Sequence, residues 1–482
     1  MAKLKSLAKD TAVYGLSSII GRFLNYLLVP IHTSALATGD YGITTNIYAW
    51  VGLFLVILTF GMETTFFRFV NKETEKPEIV YSTVLKMVGG VALAFAIVCL
   101  LGLRPLAGVM GYSEHPWYIG MMVIVVAMDA FQAIPFAYLR YRHKAIHFAC
   151  LKLLFIFLSI SLNLIYFVWM KGKDVFFAFF INLICTSIIG LLLVPQLKFK
   201  AGFDKDLVKK MLKYSYPILI LGIAGLLNQV ADKILFPHIY TDKGDANNQL
   251  GIYGACCKIA MIMAMLTQAF RYAYEPFVFG SSREKDSKET YAQGMKFFII
   301  FTLLAFLAVM FYLDILKYFI RQQEYWVGLK VVPIVMAAEI FMGIYFNLSF
   351  WYKLTDDTRW GAYFSIAGCV VLIAINLIFV PRYGYMACAW AGFCGYGVSM
   401  LLSYFVGQKK FPINYPMKSI FAYIILALVL FVLGFYVVQI ENLWLRLAFR
   451  TLLLLVFVGY IIQHDLPLTE VPYINRFFKK NN

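Results

Sequence analysis

Residues 175–194 read VFFAFFINLICTSIIGLLLV and contain no charged side chain. A helix of about 20 apolar residues is long enough to cross the roughly 30 Å hydrocarbon core of a bilayer. Similar stretches recur along the chain, whose 482 residues are 61% hydrophobic and only 14% charged. That composition excludes a soluble fold and predicts an all-α integral membrane protein.

The hydropathy pattern predicts fourteen membrane-spanning helices. They lie at 11–31, 41–65, 81–103, 117–139, 149–169, 175–194, 214–236, 250–275, 294–313, 327–350, 360–380, 384–406, 417–437 and 443–462. The lysines and arginines collect in alternate loops, which predicts that those loops and both termini are cytoplasmic. We therefore assign the net charge of +17 to contact with the anionic inner leaflet, and expect no nucleic acid partner.

The chain also contains a weak internal repeat. Residues 16–50 and 219–259 share an apolar helix, a proline near its end, a polar turn and a Gly-Ile pair that opens the next helix. Six spans separate the copies, so the repeat predicts two parallel six-helix lobes plus two C-terminal helices. The predicted domains are an N-terminal lobe (1–200), an amphipathic interfacial linker (201–213), a C-terminal lobe (214–408) and two final spans with a cytoplasmic tail (409–482).

Arg22 lies near the middle of the first predicted span, and Asn25 shares its face of the helix. An ionisable group at membrane depth is costly unless it is paired or hydrated. We interpret Arg22 as a cation that faces a phosphate in a hydrated cavity. The alternative is a buried salt bridge with Glu63 or Asp129.

The eighth predicted span carries Gln268, Arg271 and Glu275 on one stripe of the helix. A donor, a cation and a carboxylate in a row predict a lining for a polar cavity. The alternative is that Arg271 and Glu275 pair with each other. Even such a pair needs water or further partners around it in a membrane.

The seventh predicted span places Asn228, Asp232 and Lys233 within two turns, and Asn376 in the eleventh span is a candidate distant ligand. A carboxylate flanked by amide oxygens is a suitable site for a sodium ion or a proton. Asn228, Asp232 and Asn376 are therefore predicted to form a cation-coupling site. An ion pair between Asp232 and Lys233 is the equally weighted alternative.

Glu63 and Arg68 end the second predicted span, and Asp129 lies inside the fourth. Glu63 and Arg68 are kept as candidate substrate contacts. For all three residues we favour structural pairing, because side chains near helix ends can reach the interface.

Several function classes lack their motifs here. The sequence contains no phosphate-binding loop, zinc-protease motif or serine-hydrolase elbow, so we expect neither ATP hydrolysis nor another catalytic activity. The eight cysteines lie in or beside apolar segments without metal-ligand spacing. No metal site and no cofactor are expected, apart from a sodium ion or a proton as the coupling ion.

Five short motifs carry a family resemblance. They are TGDYG at 38–42, FGMETTFFR at 60–68, FRYAYEPF at 270–277, WYKLT at 351–355 and PRYGYM at 381–386. Together they resemble the polysaccharide flippases of the Wzx type, over nearly the whole chain. That family is grouped with the lipid II flippases and the multidrug and toxin extruders.

The resemblance implies a V-shaped pair of lobes that moves undecaprenyl-pyrophosphate-linked oligosaccharide across the bacterial inner membrane by alternating access. The glycans concerned are of the O-antigen, lipopolysaccharide or exopolysaccharide kind, and glycan polymerases and glycosyltransferases are the implied partners. Arg22 and Arg271 match positions of cavity arginines in related flippases. Asp232 with Asn376 resembles a cation site of the C-terminal lobe.

Our hypothesis is therefore a flippase in which Arg22 and Arg271 hold the pyrophosphate by charge-assisted hydrogen bonds. The nearest alternative is a multidrug or cation antiporter of the same superfamily, which usually has 12 spans. The alternative from another class is a membrane enzyme that polymerises or ligates glycans. Such enzymes generally need a large outer loop, and none is predicted here.

Overall fold

A computed structural model of the chain describes residues 26–71, 76–199, 202–280, 287–355, 357–437 and 440–465. These residues form helices joined by short turns, and they contain no strand. The prediction of an all-α membrane protein is confirmed.

The described helices share an apolar character and are numbered here in chain order. They are α1 (Leu28–Ala35), α2 (Thr38–Thr59), α3 (Met62–Val70), α4 (Pro77–Leu101), α5 (Leu103–Val109), α6 (Pro116–Tyr141), α7 (Ala145–Asn163), α8 (Phe176–Leu193), α9 (Lys205–Ile239), α10 (Ala246–Gly280), α11 (Ser287–Phe311), α12 (Leu313–Leu316), α13 (Val332–Leu348), α14 (Phe350–Leu354), α15 (Arg359–Tyr383), α16 (Tyr385–Lys410), α17 (Met417–Val432) and α18 (Leu443–His464). Short π or 3₁₀ segments extend or join some of them, at Leu164–Trp169, Val194–Gln196, Lys317–Phe319, Gln323–Val331 and Leu433–Val437.

Thirteen helical segments of the described residues are long and apolar enough to cross a membrane. Each coincides with one of the predicted spans after the first, and most borders agree within a few residues. The first predicted span, 11–31, lies mainly outside the described residues. The largest shift is at α9, which begins at Lys205 because Asp204 caps it by accepting from the backbone N–H groups of Asp206 and Leu207. The predicted linker is thus continuous with the seventh span as one helix.

The described residues form two compact units, and the first contains those from 26 to Lys258 together with 320–331 and 361–398. Within it, α6 packs against α2, α4 and α8, and α9 packs against α2 and α3. Helices α2 and α3 are separated by Phe60 and Gly61, which both adopt a positive φ. A Cβ at Gly61 would lie 2.9 Å from Ile218 of α9, so glycine permits this close approach.

The two copies of the internal repeat meet inside this first unit. A Cβ at Gly42 would lie 1.8 Å from the carbonyl oxygen of Asn247, and a Cβ at Gly251 would lie 1.8 Å from that of Thr38. Each glycine therefore touches the carbonyl four residues before the other one. This reciprocal contact is the pattern of a two-fold relationship, and only glycine leaves room for the two backbones. The predicted lobe borders themselves remain a prediction.

The second unit contains the described residues of 259–319, 332–360 and 399–465. Here α11 packs against α13, α17 and α18. Arg450 of α18 is buried and donates to Asp314 Oδ2 at 2.8 Å and to the carbonyl oxygen of Gly434 at 2.9 Å. Gly434 lies in the π segment, where the widened turn frees a carbonyl for such a donor.

Candidate functional site

Among the described residues of the first unit, Asp232 of α9 is the carboxylate with the most hydrogen bonds, and only 6% of it is exposed. The Lys233 ammonium donates to both of its oxygens, at 3.0 and 2.9 Å. The Lys233 backbone N–H donates at 2.9 Å, and the Tyr253 hydroxyl of α10 donates at 2.7 Å. We call Asp232, Lys233 and Tyr253 the Asp232 cluster.

The Lys233 ammonium is itself held by several groups. It donates to the carbonyl oxygen of Gln229 at 3.1 Å and lies 5.4 Å from the centre of the Tyr253 ring. The Lys233 carbonyl accepts from the side-chain amide of Asn46 in α2, at 2.7 Å. The ion pair that was the alternative interpretation of Asp232 is therefore present. The cation-coupling role of Asp232 stays a prediction.

Asn228 and Asn376, the other members of the predicted cation site, are both buried. Asn228 donates to the carbonyl oxygens of Ala224 and Ser365, and Asn376 donates to that of Leu372. Their Oδ1 atoms receive no hydrogen bond from any described residue. Buried acceptors rarely remain without a donor or a cation, so these two oxygens could serve an additional ligand.

Lys258 of α10 is a half-buried cation that the sequence analysis missed. It lies about 18 Å along the helix from Ala246 at 1.5 Å per residue, well inside the span. It forms no ion pair within the part of the chain that the structure describes. The titratable groups within electrostatic range include Lys233 and His32. A single charge in the otherwise apolar stretch 250–267 was the signal that could have identified it.

The predicted stripe on the same helix belongs to the second unit. The Arg271 guanidinium lies 5.0 Å from the centre of the Phe346 ring, an arrangement typical of a cation–π contact. Arg271 is also within electrostatic range of Tyr352. Gln268 is half-buried. The side chain of Glu275 lies outside the described residues, and so do Arg22 and Asn25.

Glu63 and Arg68 are engaged in local contacts. Glu63 accepts a hydrogen bond from Arg140 of α6 and forms an ion pair with it. The Arg68 guanidinium lies 4.1 Å from the centre of the Tyr214 ring of α9. The structural pairing that we favoured for Glu63 is present. A role of either residue in substrate binding remains a prediction.

Comparisons with known proteins add a family and a fold. A family model described as "Polysaccharide biosynthesis protein" matches residues 7–274, and one described as MatE matches residues 246–378. No curated protein sequence matches the chain closely enough to count as a relative.

Three solved structures illustrate the shared fold. The lipid II flippase MurJ in an inward closed conformation has a TM-score of 0.74 at 14% identity, over 95% of this chain and 99% of that one. An inward-facing multidrug resistance transporter of the MATE family and MOP superfamily has a TM-score of 0.66 at 14% identity, over 80% and 93%. The MATE multidrug transporter DinF-BH has a TM-score of 0.59 at 15% identity, over 86% and 96%. At these identities the likeness shows the fold alone.

Proposed function

Because the chain belongs to the polysaccharide biosynthesis protein family, we propose that it is a flippase for undecaprenyl-pyrophosphate-linked oligosaccharide. Its place is the bacterial inner membrane, with both termini in the cytoplasm. The sugar crosses inside the protein by alternating access while the polyprenyl chain stays in lipid. The likeness to a lipid II flippase supports a lipid-linked cargo, and the predicted glycans are of the O-antigen or exopolysaccharide kind.

The observation that carries the proposal is the cation at Lys258. An ammonium inside a membrane-spanning helix is costly without a counter-ion, and no described carboxylate pairs with it. A pyrophosphate is an anion that would supply that counter-ion on arrival. Lysine binds phosphate as a compact point charge with three donors. An anionic headgroup is therefore the cargo that suits this position.

The predicted substrate contacts extend this proposal. Arg22, Asn25, Gln268 and Arg271 stay proposed as substrate contacts on their chemistry, since cations and amides are suitable donors to a pyrophosphate and its sugar. Glycan polymerases and glycosyltransferases are proposed as the partners that use and supply the cargo. Sodium binding at Asn228, Asp232 and Asn376 is proposed as one source of the driving force, since an ion drives a transition only by its differential affinity for two states. A proton is the less suitable ion there, because Asp232 is already paired with Lys233.

The test is a translocation assay in liposomes with a fluorescent polyprenyl-pyrophosphate oligosaccharide, read by protection from a membrane-impermeant quencher. Lys258→Met should lower both headgroup binding and translocation by about 10-fold or more, because a hydrogen bond to a charged group contributes about 1.5–3 kcal/mol. Lys198→Met removes a cation from an exposed pair with Glu78 and is the matched control. Wild-type rates in Lys258→Met would contradict the role of this lysine. No translocation by the wild type would contradict the flippase itself.

One observation favours the antiporter alternative, namely the MatE match over residues 246–378. A cationic drug would be repelled by Lys258, so the charge of the cargo separates the two functions. Uptake of cationic dyes that increases in Lys258→Met would favour the antiporter. Incorporation of sugar into polymer by the purified protein would favour the membrane enzyme instead.

A further inference from the structure

Asp129 lies in the middle of α6, is half-buried, and has fewer hydrogen bonds than the buried Asp232 of the same unit. Its one hydrogen bond comes from the Thr186 hydroxyl of α8, at 3.3 Å. It forms no ion pair with any residue that the structure describes. The structural pairing that we favoured for Asp129 is therefore absent among these residues.

An ionised carboxylate in this position would lack stabilisation. Carboxylates inside membranes are normally paired with a cation or hydrogen-bonded by several donors. A single hydroxyl at 3.3 Å is a weak donor for a charge. A protonated carboxyl, in contrast, needs only ordinary neutral contacts, and it matches what surrounds Asp129 here.

The Lys152 ammonium is a cation near Asp129 that does not contact its carboxyl group. Lys152 of α7 is within electrostatic range of Asp129. Its ammonium lies instead 4.0 Å from the centre of the Phe136 ring of α6. A lysine side chain has a flexible four-carbon stem, so the same residue can hold the ring or the carboxylate. Lys152 and Asp129 are thus neighbours that can form an ion pair, but the pair is not formed in this structure.

The remaining polar groups around Asp129 do not neutralise it. Tyr48 of α2 is within electrostatic range, and its hydroxyl accepts from Asn182 of α8 at 3.2 Å. Gln132 of α6 donates to the carbonyl oxygen of Thr186 at 2.9 Å. Farther along the bundle, Glu63 of α3 is already paired with Arg140 of α6. Lys152 is therefore the cation that remains available to Asp129 among the described neighbours.

We propose that Asp129 is an exchangeable proton site, and that Lys152 and Phe136 make it a switch. In the conformation seen here Asp129 is protonated and Lys152 rests on Phe136. When the carboxyl O–H bond breaks and the proton leaves to water, the carboxylate attracts the Lys152 ammonium, which stays charged throughout. The ion pair then forms between α6 and α7.

The switch supplies a coupling route that is separate from the Asp232 cluster. Asp232 is held ionised by its contact with Lys233. Asp129, in contrast, loses its proton and then forms a salt bridge with Lys152. This coupling role rests on the proposed transport function. The proton site itself does not, because it can be measured without any cargo.

The first experiment is infrared difference spectroscopy of the purified protein in lipid nanodiscs over a pH series. The wild type should show a protonated carboxyl C=O band that shifts in D₂O and disappears at high pH. Asp129→Asn should remove the band, whereas the matched control Asp232→Asn should keep it. Lys152→Met should preserve the band to a pH about one unit higher, because loss of a nearby cation disfavours ionisation. A wild type without the band, or Asp129→Asn with it, would overturn the proposal.

The second experiment measures translocation in liposomes with and without an imposed pH gradient. The gradient should increase the translocation rate of the wild type. In Asp129→Asn the increase should be less than one tenth of that in the wild type. A full response in Asp129→Asn would overturn the coupling role. If the wild type translocates nothing while the infrared band behaves as expected, the proposed cargo is wrong and the proton site stands.

Discussion

Asp232 and Asp129 are two aspartates of the same unit, both inside membrane-spanning helices, with opposite surroundings. Asp232 receives four hydrogen bonds, two of them from an ammonium, whereas Asp129 receives one from a hydroxyl. Each has a lysine nearby, but only Lys233 touches its carboxylate. An aspartate in contact with a lysine ammonium therefore stays ionised, whereas an aspartate whose lysine lies farther away is ionised only when the lysine moves to it.

The largest effect is expected when the pair of Asp232 and Lys233 is broken. Lys233→Met leaves the buried Asp232 carboxylate without its cation, which should lower the free energy of unfolding by about 3–5 kcal/mol. The measurement is reversible unfolding in mixed detergent micelles. The double variant Asp232→Asn with Lys233→Met should recover most of the loss, because no uncompensated charge remains. Equal losses in the single and double variants would mean that packing, not charge, is responsible.

A smaller effect is expected for the third member of the Asp232 cluster. Tyr253→Phe removes the 2.7 Å hydrogen bond to Asp232 and keeps the ring beneath Lys233. The expected loss is about 1–3 kcal/mol, the range for a hydrogen bond to a charged group. Tyr325→Phe, which removes a hydroxyl hydrogen bond to the neutral carbonyl oxygen of Leu36, is the matched control and should cost less.

The sequence predicted the spans well, because hydropathy is a local property that each helix carries by itself. Thirteen of the fourteen predicted spans correspond to described helices. The repeat predicted that Gly42 and Gly251 are equivalent, but not that their helices touch. That contact depends on how two distant segments pack, which a period in the sequence does not reveal.

The candidate sites were less predictable, because they depend on partners from other helices. Adjacent residues on a helix do not face each other, so the spacing of Asp232 and Lys233 could not decide between an ion pair and a cation site. Tyr253, which completes the cluster, comes from α10. Lys258 and Lys152 could not be predicted from stripes or groups of polar residues, because each is an isolated charge in an apolar stretch. Single charges in apolar stretches were the better signal.

For the pair of Asp129 and Lys152, Lys152→Met should lower the free energy of unfolding only modestly. Lys152 contributes a cation–π contact with Phe136, which is worth about 0.5–2 kcal/mol, and no ion pair is lost. The measurement is the same unfolding assay at low pH, where Asp129 is protonated. At high pH the loss should be greater, because the closed pair with Asp129 is then removed as well. Equal losses at both pH values would show that the pair does not close.

Asp129→Asn is expected to have the smallest effect, a change of less than about 1 kcal/mol, because the amide keeps an acceptor for Thr186 and replaces a carboxyl of the same shape. The matched comparison is Asp232→Asn, which strands the Lys233 ammonium and should cost about 3 kcal/mol or more. The contrast is measured at a pH where the infrared band of Asp129 is present. If Asp129→Asn were as damaging as Asp232→Asn, the Asp129 carboxylate would be ionised and strongly stabilised in the folded protein. The two aspartates would then both be ionised, and Asp129 would not be the exchangeable proton site.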